Sequence, residues 1–389
     1  MPDVVYEPFG RDTWRDPYPL YQRLRDEDPV HRSPHGFWVL SRFEDVFRAA
    51  RDTETFSSAS GLTFSNEVEE LGLKPTIVMM DPPDHTRYRR LVNRGFTPRQ
   101  VTDLEPSLRA YVIDRITDLQ AAGTADFIAG LARPTPSWVV AHYLGVPTED
   151  RARFDGWTQA LVQADGGGHP GGAPAALAEL YDYFTSLVER RRRQPGGDLV
   201  SVLLQADDDG VGIGLEGILG YCFVMIAGGN DTTTGLLGGA AELLAAHPDQ
   251  RRLLVDDPAR IPNAVEELLR LTSPVQGLCR VMTRDVDVDG VRLAAGERAL
   301  LCYAAANRDP REFGADADEL DVGRRIERML TFSSGAHFCL GAAAARLQGR
   351  VVLEELLARC PSFTVDADAG RFADGAFTRR YESLPFTAA

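Results

Sequence analysis

One of the five cysteines stands in a sequence context that suits a metal ligand. Cys339 follows the glycine-punctuated stretch T-F-S-S-G-A-H-F and precedes an alanine-rich run that predicts a helix. The first turn of a helix presents unpaired N–H groups and the positive end of the dipole, and both favour thiolate over thiol. Gly335 can take the positive φ of a sharp loop, and Gly341 lets a flat ligand approach the backbone. A thiolate held in this way suits the iron of a haem, where its electron donation favours O–O cleavage.

The spacing of the residues around this cysteine is specific. Phe332, Gly335, His337, Cys339 and Gly341 resemble the haem-binding signature of the cytochrome P450 family, F-x-x-G-x-H-x-C-x-G. Other interpretations are a small buried hydrophobic thiol and a zinc site. A zinc site needs four ligands at suitable spacing, and the sequence contains no C-x-x-C. The resemblance implies a haem b cofactor, with Cys339 as the iron ligand and the other four residues in its binding loop.

An acid–alcohol pair in a long apolar helix is the second candidate for chemistry. The sequence predicts a helix over residues 215–246 that contains G-G-N-D-T-T-T. Asp231 and Thr232 would be polar groups in an apolar helix, and burying them costs free energy unless they are hydrogen-bonded. One explanation is local, since Thr232 can bond the carbonyl of Gly228, four residues back. The other is functional: G-x-D-T resembles the family's oxygen-activation motif, which implies that Asp231 and Thr232 relay protons to dioxygen.

Basic residues elsewhere are candidates for binding the carboxylates of the cofactor. His85 and Arg89 lie four apart on one face of a helix that begins at the prolines of D-P-P-D-H-T-R-Y-R-R. By themselves they indicate a solvated basic helix start, and Arg280 can equally be an exposed strand residue. In the resembled family the matching residues bind haem propionates, which the planar fork of arginine suits. The resemblance therefore implies cofactor-binding roles for His85, Arg89 and Arg280.

The elements that position these groups are mostly helices. A helix predicted over residues 262–274 carries Glu267 and Arg270 at i and i+3, and such a pair alone is weak evidence because most are surface salt bridges. The resemblance implies a buried structural pair completed by Arg324. Short alternating segments after this helix, and a pair of strands near the C-terminus, predict a small sheet content. The motifs follow the family's order over nearly the whole chain. This implies a mainly α protein with a minor β part, one domain over residues 1–389, and a haem between the Asp231 and Cys339 helices.

Composition excludes several classes of partner. The chain has 389 residues, of which 44% are hydrophobic and 25% charged, as is typical of a globular protein. A formal net charge of −15 argues against nucleic acid or an anionic membrane as the main partner. The longest apolar run is about a dozen residues, too short to span a bilayer. The N-terminus lacks signal-peptide features, and five scattered cysteines imply no disulfide framework. A cytoplasmic protein is expected.

The resemblance also implies a reaction and its partners. It implies insertion of one oxygen atom from O2 into a largely apolar small molecule in secondary metabolism, by a monomer. No reductase sequence is recognised, so we expect ferredoxin and ferredoxin reductase as electron donors. Four arginines are predicted to form a basic face for an acidic partner: Arg90, Arg94, Arg346 and Arg350. The candidate wall positions of the substrate pocket are Leu62, Phe64, Met79, Val224, Ala227, Val275, Leu278 and Phe377.

Other functions remain open from sequence. One is a peroxide-driven or non-oxygenating haem-thiolate enzyme, against which the intact Asp231–Thr232 pair argues. Another is a catalytically silent haem protein that recruits a carrier domain. The glycine-rich segment 166–174, between two predicted helices, is either the hinge of a lid or a surface loop without a role.

Overall fold

Helices make up most of the described chain. The computed structural model describes residues 4–8, 11–65, 75–93, 98–157, 173–208 and 211–388. Arg94 and residues 166–172 of the glycine-rich segment lie outside these ranges. Residues 151–157 are helical, and the other α-helices, in chain order, are α1 (Tyr18–Glu27), α2 (Phe43–Arg51), α3 (Asp84–Asn93), α4 (Pro98–Ala122), α5 (Pro134–Leu144), α6 (Ala173–Arg193), α7 (Leu199–Gln205), α8 (Gly214–Ala246), α9 (Pro248–Asp256), α10 (Ile261–Thr272), α11 (Tyr303–Ala306), α12 (Pro310–Phe313) and α13 (Ala342–Arg359).

The strands are short and form small sheets. They are β1 (Val30–Arg32), β2 (Trp38–Leu40), β3 (Phe56–Ser57), β4 (Thr124–Asp126), β5 (Asp207–Asp208), β6 (Val211–Gly212), β7 (Leu278–Met282), β8 (Val286–Val288), β9 (Val291–Leu293), β10 (Arg298–Leu301), β11 (Thr364–Val365), β12 (Arg371–Phe372), β13 (Tyr381–Ser383) and β14 (Pro385–Thr387). The largest sheet has the order β1-β2-β10-β7-β3, with β2 and β10 parallel and its other neighbours antiparallel. The prediction of a mainly α fold with a minor β part is confirmed.

The long helix α8 passes through the interior of the protein. Its 33 residues extend about 50 Å at 1.5 Å per residue. Apolar side chains occupy nearly all of its faces, which is typical of a helix packed on every side. It contacts α5, α10 and α13, and Leu236, Leu237 and Leu244 belong to the largest buried cluster. This packing holds the segment that contains Asp231 and Thr232.

An ion-pair network joins α4 to α13, the helix that follows the Cys339 loop. Arg109 of α4 lies 2.7 Å from Glu105 and 2.6 Å from Glu354, and it also binds Glu355. Arg350 of α13 binds Glu105 in turn at 2.5 Å. Single exposed pairs contribute little, but a partly buried network of several charges contributes more. The network therefore fixes α13 against α4.

A buried ion pair in α10 braces the start of the Cys339 loop. Glu267 and Arg270 are both fully buried and bind each other through two contacts of 2.7 Å. As the resemblance implied, Arg324 joins them, 3.2 Å from Glu267. Arg270 also donates 2.8 Å to the carbonyl of Asn307, whose side chain donates 2.9 Å to Thr331. The pair is thus linked by hydrogen bonds to the first residue of the loop.

The C-terminal strands differ from the sequence prediction. One pair of strands was expected, whereas four occur, β11 to β14. The last of them, β14, pairs with β4 as well as with β11. Three residues of β4 are too few for a detectable alternating pattern, so the sequence did not indicate this partner. Within the described ranges, no helix has both the length and the apolar character needed to cross a bilayer.

Candidate active site

A backbone hydrogen bond and a glycine with positive φ shape the Cys339 loop. The N–H of Cys339 donates 2.9 Å to the carbonyl of Phe332, which closes the loop. Gly335 starts a short 3-10 turn, Gly335–His337, and has φ +68°. A Cβ added at Gly335 would lie 3.0 Å from the Cα of Arg51. Glycine is therefore required there by both its dihedral angle and its contacts.

Cys339 is the one exposed cysteine, and the other four are buried. Protein atoms nevertheless surround the thiol, and burial raises its pKa. The amides of Gly341 and Ala342 and the charges of Arg89 and Arg346 act in the opposite direction. The helix start by itself favours the thiolate, and in the structure burial of the thiol outweighs this effect. Coordination to a cation would reverse this balance, because a coordinating thiol is deprotonated. A thiol that is accessible to a ligand and otherwise surrounded by protein atoms is suited to bind iron.

Four basic side chains converge beside the loop. The rings of His85 and His337 are 4.4 Å apart. Arg89 donates 3.0 Å to the carbonyl of Ala336 and also binds that of Phe338. Burial lowers the pKa of His337 to about 3, helped by the charges of Arg280, His85 and Arg89. The structure therefore brings together the residues predicted to bind propionates, and adds His337 to them.

This basic cluster fits the two carboxylates of a haem. Arg280 and His85 are each 2% exposed. None of the four side chains makes an ion pair with a carboxylate in the part of the chain that the structure describes. Burial lowers the pKa of His85, and the carboxylate of Asp81, which opposes this shift, is already engaged by Ser57 and Ser58. Burial lowers the pKa of both histidines, so Arg89 and Arg280 carry the positive charge of the cluster, and two propionates would supply their counterions.

The middle of α8 is open to a ligand. Ile226 and Asn230 are buried, whereas Ala227 and Gly228 between them are exposed. A Cβ added at Gly228 would have no neighbour within 4 Å. Earlier in the helix, burial raises the pKa of Tyr221, and the charge of Cys339 adds to the shift. This electrostatic interaction indicates that α8 and the Cys339 loop face each other.

Asp231 and Thr232 lie one turn beyond this opening, and each has a partner. The hydroxyl of Thr232 donates 2.8 Å to the carbonyl of Gly228, as the local explanation predicted. The carboxylate of Asp231 lies 2.9 Å from Nε of Arg380. Asn230, to which the sequence assigned no role, donates 2.7 Å to the carbonyl of Ile226. The two predicted proton-relay residues are therefore ordered by hydrogen bonds.

Two of the predicted wall residues are in direct contact. Phe64 stacks on Phe377 with a centroid distance of 4.6 Å, and Phe37 stacks on Phe64 at 4.3 Å. The carbonyl of Phe377 accepts a hydrogen bond of 2.7 Å from Gln276. This aromatic stack connects an N-terminal strand region to the C-terminal segment and offers an apolar surface.

Two of the four arginines of the predicted basic face, Arg346 and Arg350, are paired with carboxylates. Arg346 binds Glu266 in a bidentate manner, at 2.6 and 2.8 Å. Arg350 binds Glu105 and Glu354, and Arg94 lies outside the described residues. The expectation that these arginines present positive charge to a partner therefore needs correction for Arg346 and Arg350. Their carboxylate partners come from other helices or the next turn, which composition does not reveal.

Sequence reasoning missed two residues that contact the predicted site. The hydroxyl of Ser58 lies 3.2 Å from Nε2 of His337. Arg380 pairs with Asp231. Neither residue stands in a motif, and both are far along the chain from the groups that they bind. No local sequence pattern indicated either contact.

Comparisons with known proteins agree with this geometry. A family profile described as Cytochrome P450 matches residues 259–371. The chain is 54% identical over 387 residues to Cytochrome P450 130 of Mycobacterium tuberculosis (strain CDC 1551 / Oshkosh), covering 96% of each chain. It is 36% identical over 388 residues to a Vitamin D(3) 25-hydroxylase of Pseudonocardia autotrophica, covering 97% of this chain and 95% of that one.

A solved structure matches over nearly the same length. It is the cytochrome P450 PksS of the bacillaene polyketide synthase from Bacillus subtilis 168. The TM-score is 0.90 at 30% sequence identity, and the match covers 99% of this chain and 100% of that chain. At 30% identity over 99% of this chain, the two proteins share sequence as well as the arrangement of helices.

Proposed function

This chain belongs to the cytochrome P450 family, and on that premise we propose that it inserts one oxygen atom from O2 into a largely apolar small molecule. The reaction is hydroxylation, with epoxidation or demethylation as outcomes of other substrate poses. Family membership makes the chain a haem-dependent oxidoreductase. The observation that carries the proposal is the exposed thiol of Cys339 beside a partly buried basic cluster that makes no ion pair with a carboxylate among the described residues. The cofactor that we propose is haem b.

We assign the binding roles to this chain's residues as follows. When bound, the haem supplies reductive activation of O2, which a thiolate ligand favours by donating electron density. Cys339 is the iron ligand, and His85, Arg89, Arg280 and His337 hold the propionates. Gly335, Gly341 and the ring of Phe332 keep Cys339 in place.

Asp231 and Thr232 are assigned to proton delivery. Asp231 takes up protons from solvent, and the hydroxyl of Thr232 directs them into the opening beside Gly228. The aromatic stack of Phe64 and Phe377 excludes water and orients an apolar substrate.

The partners follow from the same premise. The vitamin D(3) hydroxylase and the polyketide P450 among the relatives support an apolar substrate and a role in secondary metabolism. We propose a cytoplasmic monomer with residues 1–389 as one domain, supplied with electrons by ferredoxin and ferredoxin reductase. With Arg346 and Arg350 paired, we expect the docking of the donor to depend less on net charge than composition suggested.

The proposal is tested by the absorption difference spectrum of the reduced protein with and without carbon monoxide. We expect a strongly red-shifted Soret band, which indicates thiolate ligation. A folded, haem-loaded protein without that band would overturn the assignment of Cys339. The second part of the test is turnover of vitamin D(3) with labelled dioxygen, in which one labelled atom is expected in the product. Label entering from water would contradict the proposal.

Replacing Arg280 by leucine is expected to weaken haem retention. The substitution removes a buried cation from the propionate cluster, and a hydrogen bond to a charged group contributes about 1.5–3 kcal/mol, so haem loss should accelerate roughly tenfold or more. Haem transfer to apomyoglobin measures this rate. The matched control is Arg284→Leu, just beyond the same strand, where the side chain is exposed and binds Thr55. Equal rates for both variants would remove Arg280 from the cofactor site.

Replacing Thr232 by alanine distinguishes the monooxygenase from a peroxide-driven enzyme. We expect product formed per O2 consumed to fall about tenfold, with peroxide released instead, because positioned proton transfer contributes about 10²–10⁴ in rate. The control is Thr234→Ala, since Thr234 makes the same kind of bond, 2.9 Å to Asn230, in a buried part of the helix. Unchanged coupling together with peroxide-supported turnover would favour the alternative.

A further inference from the structure

The ring of Phe64 is enclosed by two other aromatic rings. Phe37 stacks on it at a centroid distance of 4.3 Å and an interplanar angle of 24°, and Phe377 at 4.6 Å and 30°. Two rings this close do not fit side by side on one face of Phe64, so they cover its two faces. Phe64 and Phe377 are partly exposed, whereas Phe37, to which the sequence assigned no role, is 2% exposed.

Phe37 is anchored from the side that faces away from Phe64. Its carbonyl accepts 2.9 Å from the N–H of Ser33, which closes the turn before β2. Tyr6, which is 1% exposed, meets the ring of Phe37 edge-on at 6.3 Å. The ring of His35 stacks on it at 6.3 Å, and His35 pairs with Glu7 at 2.8 Å. Phe37 is therefore a fixed surface for Phe64.

Phe377 is anchored independently, through its own backbone. Its carbonyl accepts 2.7 Å from the N–H of Gln276. Gln276 is 1% exposed, and its side-chain oxygen accepts 2.8 Å from the hydroxyl of Tyr21. Two residues before Phe377, the carbonyl of Gly375 accepts 2.6 Å from the indole N–H of Trp14. The second ring that covers Phe64 is thus also held in place.

The backbone just before Phe64 is fixed as well. The carbonyl of Leu62 accepts 2.8 Å from the N–H of Cys279, and that of Thr63 accepts 3.1 Å from Arg298. The side-chain torsions of Phe64 are then its main freedom. Close-packed interiors have few voids, so a ring covered on both faces cannot turn unless a neighbour yields. The position of Phe64 in the wall of the pocket therefore depends on Phe37.

We propose that Phe37 is a positioning residue that limits the width of the substrate. This inference rests on the proposed function, because it takes Phe64 and Phe377 as walls of the substrate pocket. Phe37 acts through Phe64, since it fills the space into which that ring would have to move to admit a wider ligand. A smaller side chain at this position opens the space, and the wall recedes when a wide, rigid ligand enters. A narrow, flexible ligand gains little, because it does not press on the wall.

The test compares two apolar probes of different width. Testosterone is wide and rigid because its rings are fused, and dodecanoic acid has a narrow, flexible chain. Equilibrium dialysis of the labelled probes against the haem-loaded protein gives both dissociation constants without depending on turnover. We expect Phe37→Leu to strengthen the binding of testosterone relative to dodecanoic acid by roughly two- to tenfold, which is the range that one aromatic contact is worth. Phe37→Met should give a change of the same sign, and it takes the place of the leucine variant if that protein does not fold.

The matched control is Phe43→Leu. Phe43 is also 2% exposed and stacks on another phenylalanine, Phe47, but it belongs to a different buried cluster from Phe37. Both leucine variants should lower the urea midpoint, whereas Phe43→Leu should leave the ratio of the two dissociation constants unchanged. A second control repeats Phe37→Leu in a Phe64→Ala background. There the ratio should not change further, because no ring is left to be released.

Three outcomes would overturn the role of Phe37. In the first, Phe37→Leu changes both constants by the same factor or changes neither, which includes a protein that binds neither probe before or after the substitution. In the second, Phe43→Leu shifts the ratio equally, so that the effect is a general loosening of the fold. In the third, the shift persists in the Phe64→Ala background, so that Phe37 acts by another route.

These outcomes are distinct from a failure of the proposed function. The carbon monoxide band and the incorporation of labelled oxygen test the reaction, and a loss of selectivity control by Phe37 changes neither. If those two tests failed while the ratio of dissociation constants shifted as expected, the reaction would be withdrawn and the control of ligand width by Phe37 would stand.

Discussion

Replacing Cys339 with serine should abolish the red-shifted carbon monoxide band and reduce oxygen-dependent turnover by about three orders of magnitude or more, as expected when a reaction's central group is removed. Serine is nearly isosteric, so the loop should still fold. A serine hydroxyl is, however, a poor donor to iron compared with a thiolate, which supplies the electron density that favours O–O cleavage. The basic cluster remains in this variant, so we expect haem to be retained in part. The variant therefore separates ligation of the iron by Cys339 from binding of the haem by the basic cluster.

The control for this prediction is Cys360→Ala. Cys360 is buried at the end of the same helix that follows the Cys339 loop. Its loss should cost some packing and leave the spectrum unchanged. If Cys339→Ser kept the red-shifted band, the ligand would have to be another cysteine. The four others are buried, which makes each of them inaccessible to a cofactor without rearrangement.

Replacing Glu267 with alanine should destabilise the protein by about 3–5 kcal/mol, because it leaves the buried charge of Arg270 without its partner. Arg270 is fully buried, and burial lowers its pKa while Glu267 opposes that shift. Arg324 also loses its contact with Glu267. Since domains are stable by only about 5–15 kcal/mol, the variant should give little folded, haem-loaded protein. The midpoint of urea unfolding and the yield of haem protein measure the effect.

The control is an exposed pair of the same chemistry. Arg252 and Asp256 lie four apart on α9, at 75% and 63% side-chain exposure, and are 3.2 Å apart. Asp256→Ala should cost less than about 1 kcal/mol, as is typical of surface pairs. If the two variants lost similar stability, the buried pair would not hold the fold. The Cys339 loop would then need another brace, because the hydrogen bonds from Arg270 through Asn307 to Thr331 begin at this pair.

Local patterns predicted the elements of the site well. The helix predicted over residues 215–246 is observed as Gly214–Ala246, and the one over residues 262–274 as Ile261–Thr272. Apolar spacing and prolines determine such elements because each residue's preference depends on neighbours within a few positions. The bond from Thr232 to Gly228 was predictable for the same reason. The Cys339 signature is also local, since one loop supplies all of its residues.

The partners of these groups were decided only by the tertiary structure. Arg380 meets Asp231, Ser58 meets His337, and β14 pairs with β4, in each case across a long stretch of chain. The same holds for Arg346, whose predicted free charge is paired with Glu266 of another helix. The sequence by itself determined the family, the main helices and the residues able to do chemistry. Tertiary packing decides which charges are neutralised and how firmly Asp231 of α8 is held. The residues adjacent in the chain do not determine these contacts, because the partners come from distant elements.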